Sequence, residues 1–150
     1  NTMWYGMGPG ENYVDSKAAS VMGIYKNTVD GMMTNYVFPQ ENGHREQVKW
    51  FRIGGGRDGL LCKMKAPLGL NLANYTDESL EQAQHPFAIE KADDVIIHLD
   101  YLHSGLGSNS CGEEQLEENK VKLQDFALAF TLQTVTEGSE IREARIQYIE

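Results

Sequence analysis

Apolar residues in this chain recur at every second position. Val48, Trp50 and Arg52 alternate with Lys49, Phe51 and Ile53. Leu60-Leu-Cys-Lys-Met64 and then Leu68, Leu70 and Leu72 continue the pattern, and Val95–Asp100 and the series Phe126, Leu128, Phe130, Leu132 take it up later. A period of two belongs to a strand, whose successive side chains leave opposite faces. The runs are short and bounded by Gly, Pro, Asn and Asp, the punctuation of antiparallel strands. The 15 glycines fit that reading, since tight reversals need backbone angles that glycine takes freely. Gly54-Gly-Gly-Arg-Asp-Gly59 is the plainest hairpin connection. One helix is predicted: Thr76 or Asp77 caps it, Glu78–Gln84 forms its turns, and His85-Pro86 stops it. The class is therefore all-β, antiparallel sheets with one short helix, arranged as a sandwich.

The 150 residues suffice for one domain with a core of its own. Residues 1–135 read as the β-sandwich portion. Residues 136–150 read as a tail whose Ile141, Ile146, Tyr148 and Ile149 suit a helix or an extra strand equally. No apolar run approaches the roughly 18 residues a membrane helix needs, and no signal-peptide pattern opens the chain. It starts at Asn1, and Trp4-Tyr5 reads as a strand already under way, so a piece of a longer protein is expected. Both a cytoplasmic and a periplasmic home stay open. The net charge of -9 is the wrong sign for nucleic acid. The acidic run Glu113, Glu114, Glu117 and Glu118 is a solvated surface. Cys62 and Cys111 lack metal-like spacing; Cys62 is expected as a buried thiol, and two cysteines make no disulfide framework. The scattered histidines, among them His85, His98 and His103, make no metal site.

Four segments carry a resemblance. Trp4-Tyr-Gly-Met-Gly-Pro-Gly-Glu-Asn-Tyr-Val-Asp15 resembles the GxGPxENYxD signature of the large β-galactosidases of glycoside hydrolase family 2. Tyr36-Val-Phe-Pro-Gln-Glu-Asn-Gly-His-Arg45 is similar to that family's YxxPQENGxR loop. Tyr75–His85 is similar to its short helix ending in His, and Leu99–Gly112 to its GxGSxSCG loop with the Asp that precedes it. The segments run in the family's order over roughly residues 4 to 133. All belong to the C-terminal domain of those enzymes, which implies the second half of a galactose-mutarotase-like supersandwich. The resemblance further implies a parent that cleaves terminal β-D-galactosides with retention, with Mg2+ and Na+ as its cofactors. Retention requires two carboxylates about 5–5.5 Å apart. In the family both are glutamates of a (β/α)8 barrel absent from this chain, so no catalytic residue is expected here. The chain departs from the family pattern at Ser16, where Arg usually follows Asp15, and at Glu113, where Pro is common. Its last loop lacks the Trp that stacks on sugar in some members.

The resemblance makes Gly107, Ser108, Asn109, Ser110 and Cys111 candidates for the wall of the parent's substrate pocket, together with Glu41, Asn42, His44 and Arg45. From the residues alone, Glu41–Arg45 also reads as a turn in which Asn42-Gly43 takes positive φ while Glu41 and Arg45 pair or reach the barrel. The backbone of Phe38 and Pro39 is a candidate seat for a structural cation. Trp4, Trp50 and Phe51 read as core residues, with a sugar-stacking platform as the rival role. The expected partners are the barrel and other domains of the same enzyme, β-galactosides, and a second copy paired through exposed strand edges. The alternative function is an independent carbohydrate-binding β-sandwich module.

Overall fold

The computed structural model describes residues 1–55, 57–106 and 114–145. The fold is all-β. Strands β1 (Thr2–Gly8), β2 (Val21–Asn27), β3 (Arg45–Ile53), β4 (Asp58–Ala73), β5 (Ile96–Asp100) and β6 (Phe130–Thr136) form one antiparallel sheet. Its order is β2-β1-β3-β4-β5, with β6 also on β4. The 16-residue β4 is the spine. One edge pairs β3 along its length, while the other carries β6 against Asp58–Met64 and β5 against Gly69–Ala73. Pro67 falls in the gap between those two ladders, where its missing N–H breaks no outer pairing. β3 and β4 pair as an antiparallel hairpin that turns between Ile53 and Asp58, within the stretch whose glycines predict it.

Two apolar clusters lie on opposite faces of the sheet. One holds Trp4, Met32, Val48, Phe51, Cys62, Leu70 and Leu72; the other holds Met3, Trp50, Leu61 and Val135. Adjacent residues divide between them, Met3 from Trp4 and Trp50 from Phe51, as period two requires. The alternation nevertheless breaks inside β3. The β3–β4 register shifts twice, between Arg45 and Val48, where Gln47 takes φ 59, and between Val48, opposite Leu68, and Trp50, opposite Lys63; Val48 joins the cluster of Phe51 and not that of Trp50. A bulge of this kind re-aims a strand. Gly6 makes room for it, since a Cβ there would lie 2.9 Å from the Val48 Cα.

Helix α1 (Asp77–Gln82) is capped by Thr76, whose Oγ1 accepts from the Ser79 N–H at 3.2 Å. This selects Thr76 over Asp77 as the cap. The described part of the tail is a second short helix, α2 (Glu140–Arg145), whose Ala144 packs on the Met3–Trp50 cluster. Its remaining residues, Ile146 to Glu150, lie outside the described ones. The series Phe126–Leu132 differs from expectation: only Phe130 and Leu132 lie in a strand, and all four side chains are exposed. Phe130 and Leu132 lie opposite Met64 and Cys62 in the β4–β6 ladder, while Phe126, ahead of β6, stacks on Tyr101 with ring centres 5.3 Å apart and planes at 18°. Val21, Met22 and Ile24 of the edge strand β2 are also exposed.

Candidate functional site

The end of the sheet where β1 leaves and β3 enters gathers the loops that carry the signatures, and polar side chains stitch them together. Asn12 is fully buried. Its N–H donates to the His44 carbonyl at 2.9 Å, and its Oδ1 accepts from the Glu46 N–H at 2.8 Å. The neighbouring Glu11 accepts from the Gly43 N–H through Oε2 at 2.7 Å and from the Tyr36 hydroxyl through Oε1. The first signature thus clamps the second from both sides. Asp15 Oδ1 accepts from the Leu106 N–H at 3.3 Å, and the missing Cβ of Gly105 admits its carboxylate. That contact joins the first signature to the fourth.

The second loop is held from beneath. Asn42 is buried: Nδ2 donates to the Gln40 carbonyl at 2.8 Å and lies 3.3 Å from the Tyr75 hydroxyl, while Oδ1 accepts from the Thr34 N–H at 3.1 Å. Tyr75 opens the third signature, so all four segments meet at this corner. Gly43 takes φ 79, the left-handed conformation glycine adopts at least cost, whereas Asn42 is outside that region. Arg45 turns inward and does not pair with Glu41. Its Nη1 donates to the Gly43 carbonyl at 2.6 Å, and its guanidinium lies 5.4 Å from the Trp4 ring centre. Burial lowers its pKa to about 10, which leaves it charged at neutral pH.

Above these contacts opens a cleft of about 700 Å³, lined by Glu11, Tyr13, Tyr36, Gln40 and Glu41 on one side and by Ser104–Leu106 and Gln115 on the other. Glu41 sits half exposed at its lip, 3.8 Å from the His103 Nε2. Partial burial lifts its carboxyl above the ordinary range, and the charges of His103, His44 and His98 offset only part of that. The hydrogen bond to Glu11 pushes the Tyr36 phenol up to about 12. Burial, with Glu41 and Glu11 nearby, raises the Tyr13 phenol further. The cleft is acidic and aromatic, and it carries hydroxyl, amide and carboxylate groups suited to a hydroxyl-rich surface.

Two glutamates in one cleft invite comparison with a glycosidase pair, in which one carboxylate must attack or stabilise an anomeric carbon. Glu11 is poorly placed for that, because both its oxygens hold the Tyr36–Gly43 loop. Of the predicted wall residues, Glu41 lines the cleft, while Asn42, His44 and Arg45 form its buried support. Gly107, Ser108, Asn109, Ser110 and Cys111 lie outside the described residues; the flanking Leu106 and Gln115 reach the cleft. Phe38 is exposed and borders a separate depression with Pro39, Asp77 and Glu81. Among the described residues no three His, Cys, Asp or Glu side chains converge as metal ligands. Trp4, Trp50 and Phe51 are core residues, and Cys62 is a buried free thiol raised to about 11 by that burial. Glu11, Tyr13 and Asp100 went unassigned as site residues although each lies within a signature.

The family model described as beta galactosidase small chain matches residues 1–132. A β-galactosidase of Actinobacillus pleuropneumoniae is 32% identical over 129 residues, covering 86% of this chain and 12% of that protein. One of Halalkalibacterium halodurans is 30% identical over 136 residues, covering 88% and 13%. One of Kluyveromyces lactis is 30% identical over 132 residues, covering 86% and 12%. The chain thus spans 12–13% of the length of these curated relatives.

Proposed function

Because the chain belongs to the β-galactosidase small-chain family, we propose that it serves as a non-catalytic domain of a retaining β-galactosidase, buttressing the catalytic barrel and walling part of the galactoside pocket. The observation that carries this reading is the mutual bonding of Glu11, Asn12, Asp15 and Asn42, which assembles all four signatures into one rigid lip around a cleft. A rigid lip positions a neighbour's substrate without performing chemistry, which is what substrate-orienting walls contribute to a reaction elsewhere. Glu41, at the rim with a raised pKa, is the side chain best placed to meet a sugar hydroxyl. The exposed stripe Phe126–Leu132 and the edge residues Val21, Met22 and Ile24 suit contact with other parts of the parent, as the second half of a supersandwich would need.

Burial of Trp4, Trp50 and Phe51 takes these three rings out of reach of a sugar, which weighs against a stacking platform built from them. Titration calorimetry of the 150-residue chain with galactose and with lactose tests the choice. No saturable heat is expected, because the rest of the pocket belongs to other domains. Saturable binding that disappears in Glu41→Ala would make the chain a carbohydrate-binding module in its own right.

A further inference from the structure

His44 fills a slot built for it. The side chain is wholly buried, with Nε2 3.0 Å from Glu46 Oε1 and Nδ1 3.5 Å from Asp100 Oδ2. The slot exists because β4 has glycine at position 69, opposite Asp100. A Cβ there would lie 2.2 Å from the His44 Cε1 and 3.2 Å from the Asp100 Cβ. The ring therefore spans from β3 to β5 over a notch in β4. One of its faces stacks on Tyr13, ring centres 5.4 Å apart and planes at 19°, and His103 tilts against it at 4.5 Å.

A neutral imidazole has one N–H and one lone pair. With a carboxylate at each nitrogen, the neutral ring turns its lone pair toward an anionic oxygen whichever tautomer forms. Only the imidazolium offers a proton to both sides. We propose that His44 is a pH-sensitive clasp: its doubly protonated ring ties Glu46 to Asp100 across Gly69 and holds Tyr13 and His103 beneath the cleft, and loss of one ring proton releases that tie. The inference stands independently of what the cleft receives.

The surroundings set the direction. Burial works against the charged ring, but Asp100 and Glu46 outweigh it, and His44 is left above the ordinary histidine value of about 6.5. The other titratable groups nearby are Glu41 in its own loop, His98 on β5, His103 beyond β5 and Tyr13 from the β1–β2 loop. Asp100 is depressed: burial raises it, and the His44 bond and the charges of the three histidines more than reverse that. A raised histidine pKa contributes stability that is full below the unfolded value and lost as pH rises through the folded one. The depressed Asp100 contributes above its unfolded value and is lost as pH falls through its folded one. The clasp is thus closed between the folded pKa of Asp100 and that of His44.

Imidazole NMR titration of the 150-residue chain tests this, with the His44 signal assigned by its loss in His44→Asn. We expect His44 to titrate above 6.5, with both ring nitrogens protonated below its midpoint, and Asp100→Asn and Glu46→Gln each to lower that midpoint. Tyr13 and His103 ring signals should shift with the same midpoint, and urea stability should fall through it in the wild type but not in His44→Asn. If His44→Asn does not fold, through-bond assignment and the two carboxylate variants decide alone. A His44 midpoint at or below 6.5, a midpoint unmoved in Asp100→Asn, or Tyr13 and His103 signals that ignore the His44 titration would each overturn the clasp.

Discussion

Replacing Trp4 with alanine is expected to cost about 3–5 kcal/mol of stability, the range for deleting a large buried aromatic side chain. The indole is 1% exposed and belongs to the cluster that also holds Phe51, Val48 and Leu70. Its Nε1 donates to the Met7 carbonyl at 3.1 Å, and Tyr25 leans on it with ring centres 5.4 Å apart. Truncation also strips the aromatic face from the Arg45 guanidinium, a buried charge whose Nε has no hydrogen-bond partner among the described residues. Domains of this size have only about 5–15 kcal/mol in hand, so the variant should be near unfolding at room temperature. Trp4→Phe keeps a ring and should lose much less. Urea denaturation checks both, and a Trp4→Ala loss below about 1 kcal/mol would mean the ring is not central to the core.

The second large effect is expected at Asn42. Alanine there leaves the Tyr75 hydroxyl, the Thr34 N–H and the Gln40 carbonyl without their partner. Each buried orphan costs roughly 1–3 kcal/mol, while an exposed group recovers water and costs little. Gln40 is exposed and Tyr75 buried, so a total of about 2–4 kcal/mol is expected. Asn42→Asp retains an acceptor for Thr34 and should be milder. The bond from Asn71 goes to the Asn42 backbone carbonyl and survives both changes. Hydrogen exchange at the Thr34 amide separates a local release of the loop from global loss. Unchanged protection there in Asn42→Ala would contradict the proposed role of Asn42 as the loop's anchor.

Much of the sheet was legible because period two is a local property of a strand, and adjacent residues likewise gave the Gly54–Gly59 hairpin and narrowed the α1 cap to Thr76 or Asp77. Register is not local. Nothing in Gln47–Ile53 announces that Val48 and Trp50 fall on opposite faces, because the shift is fixed by which β4 residues lie across from them. Alternation at Phe126–Leu132 reveals one apolar face, but not whether anything covers it. The site follows the same division. The signatures marked the segments that meet at the corner, and Glu41, Asn42, His44 and Arg45 were read together as pocket wall or as a turn. The burial of Asn42, His44 and Arg45 depends on grips from Asn12, Tyr75 and Trp4, which are distant in sequence. The Gly69 notch illustrates the limit well, since a glycine within a strand says that something approaches closely, and only the fold says that it is His44.

The central claim is that the cleft supports chemistry performed elsewhere, and turnover by the purified 150-residue chain tests it most directly. A chromogenic β-galactoside should be hydrolysed no faster than in buffer at any pH, with Glu11→Gln and Glu41→Gln indistinguishable from the wild type. Saturable hydrolysis that is abolished by Glu41→Gln would show that this chain carries a working carboxylate pair of its own and would contradict the account.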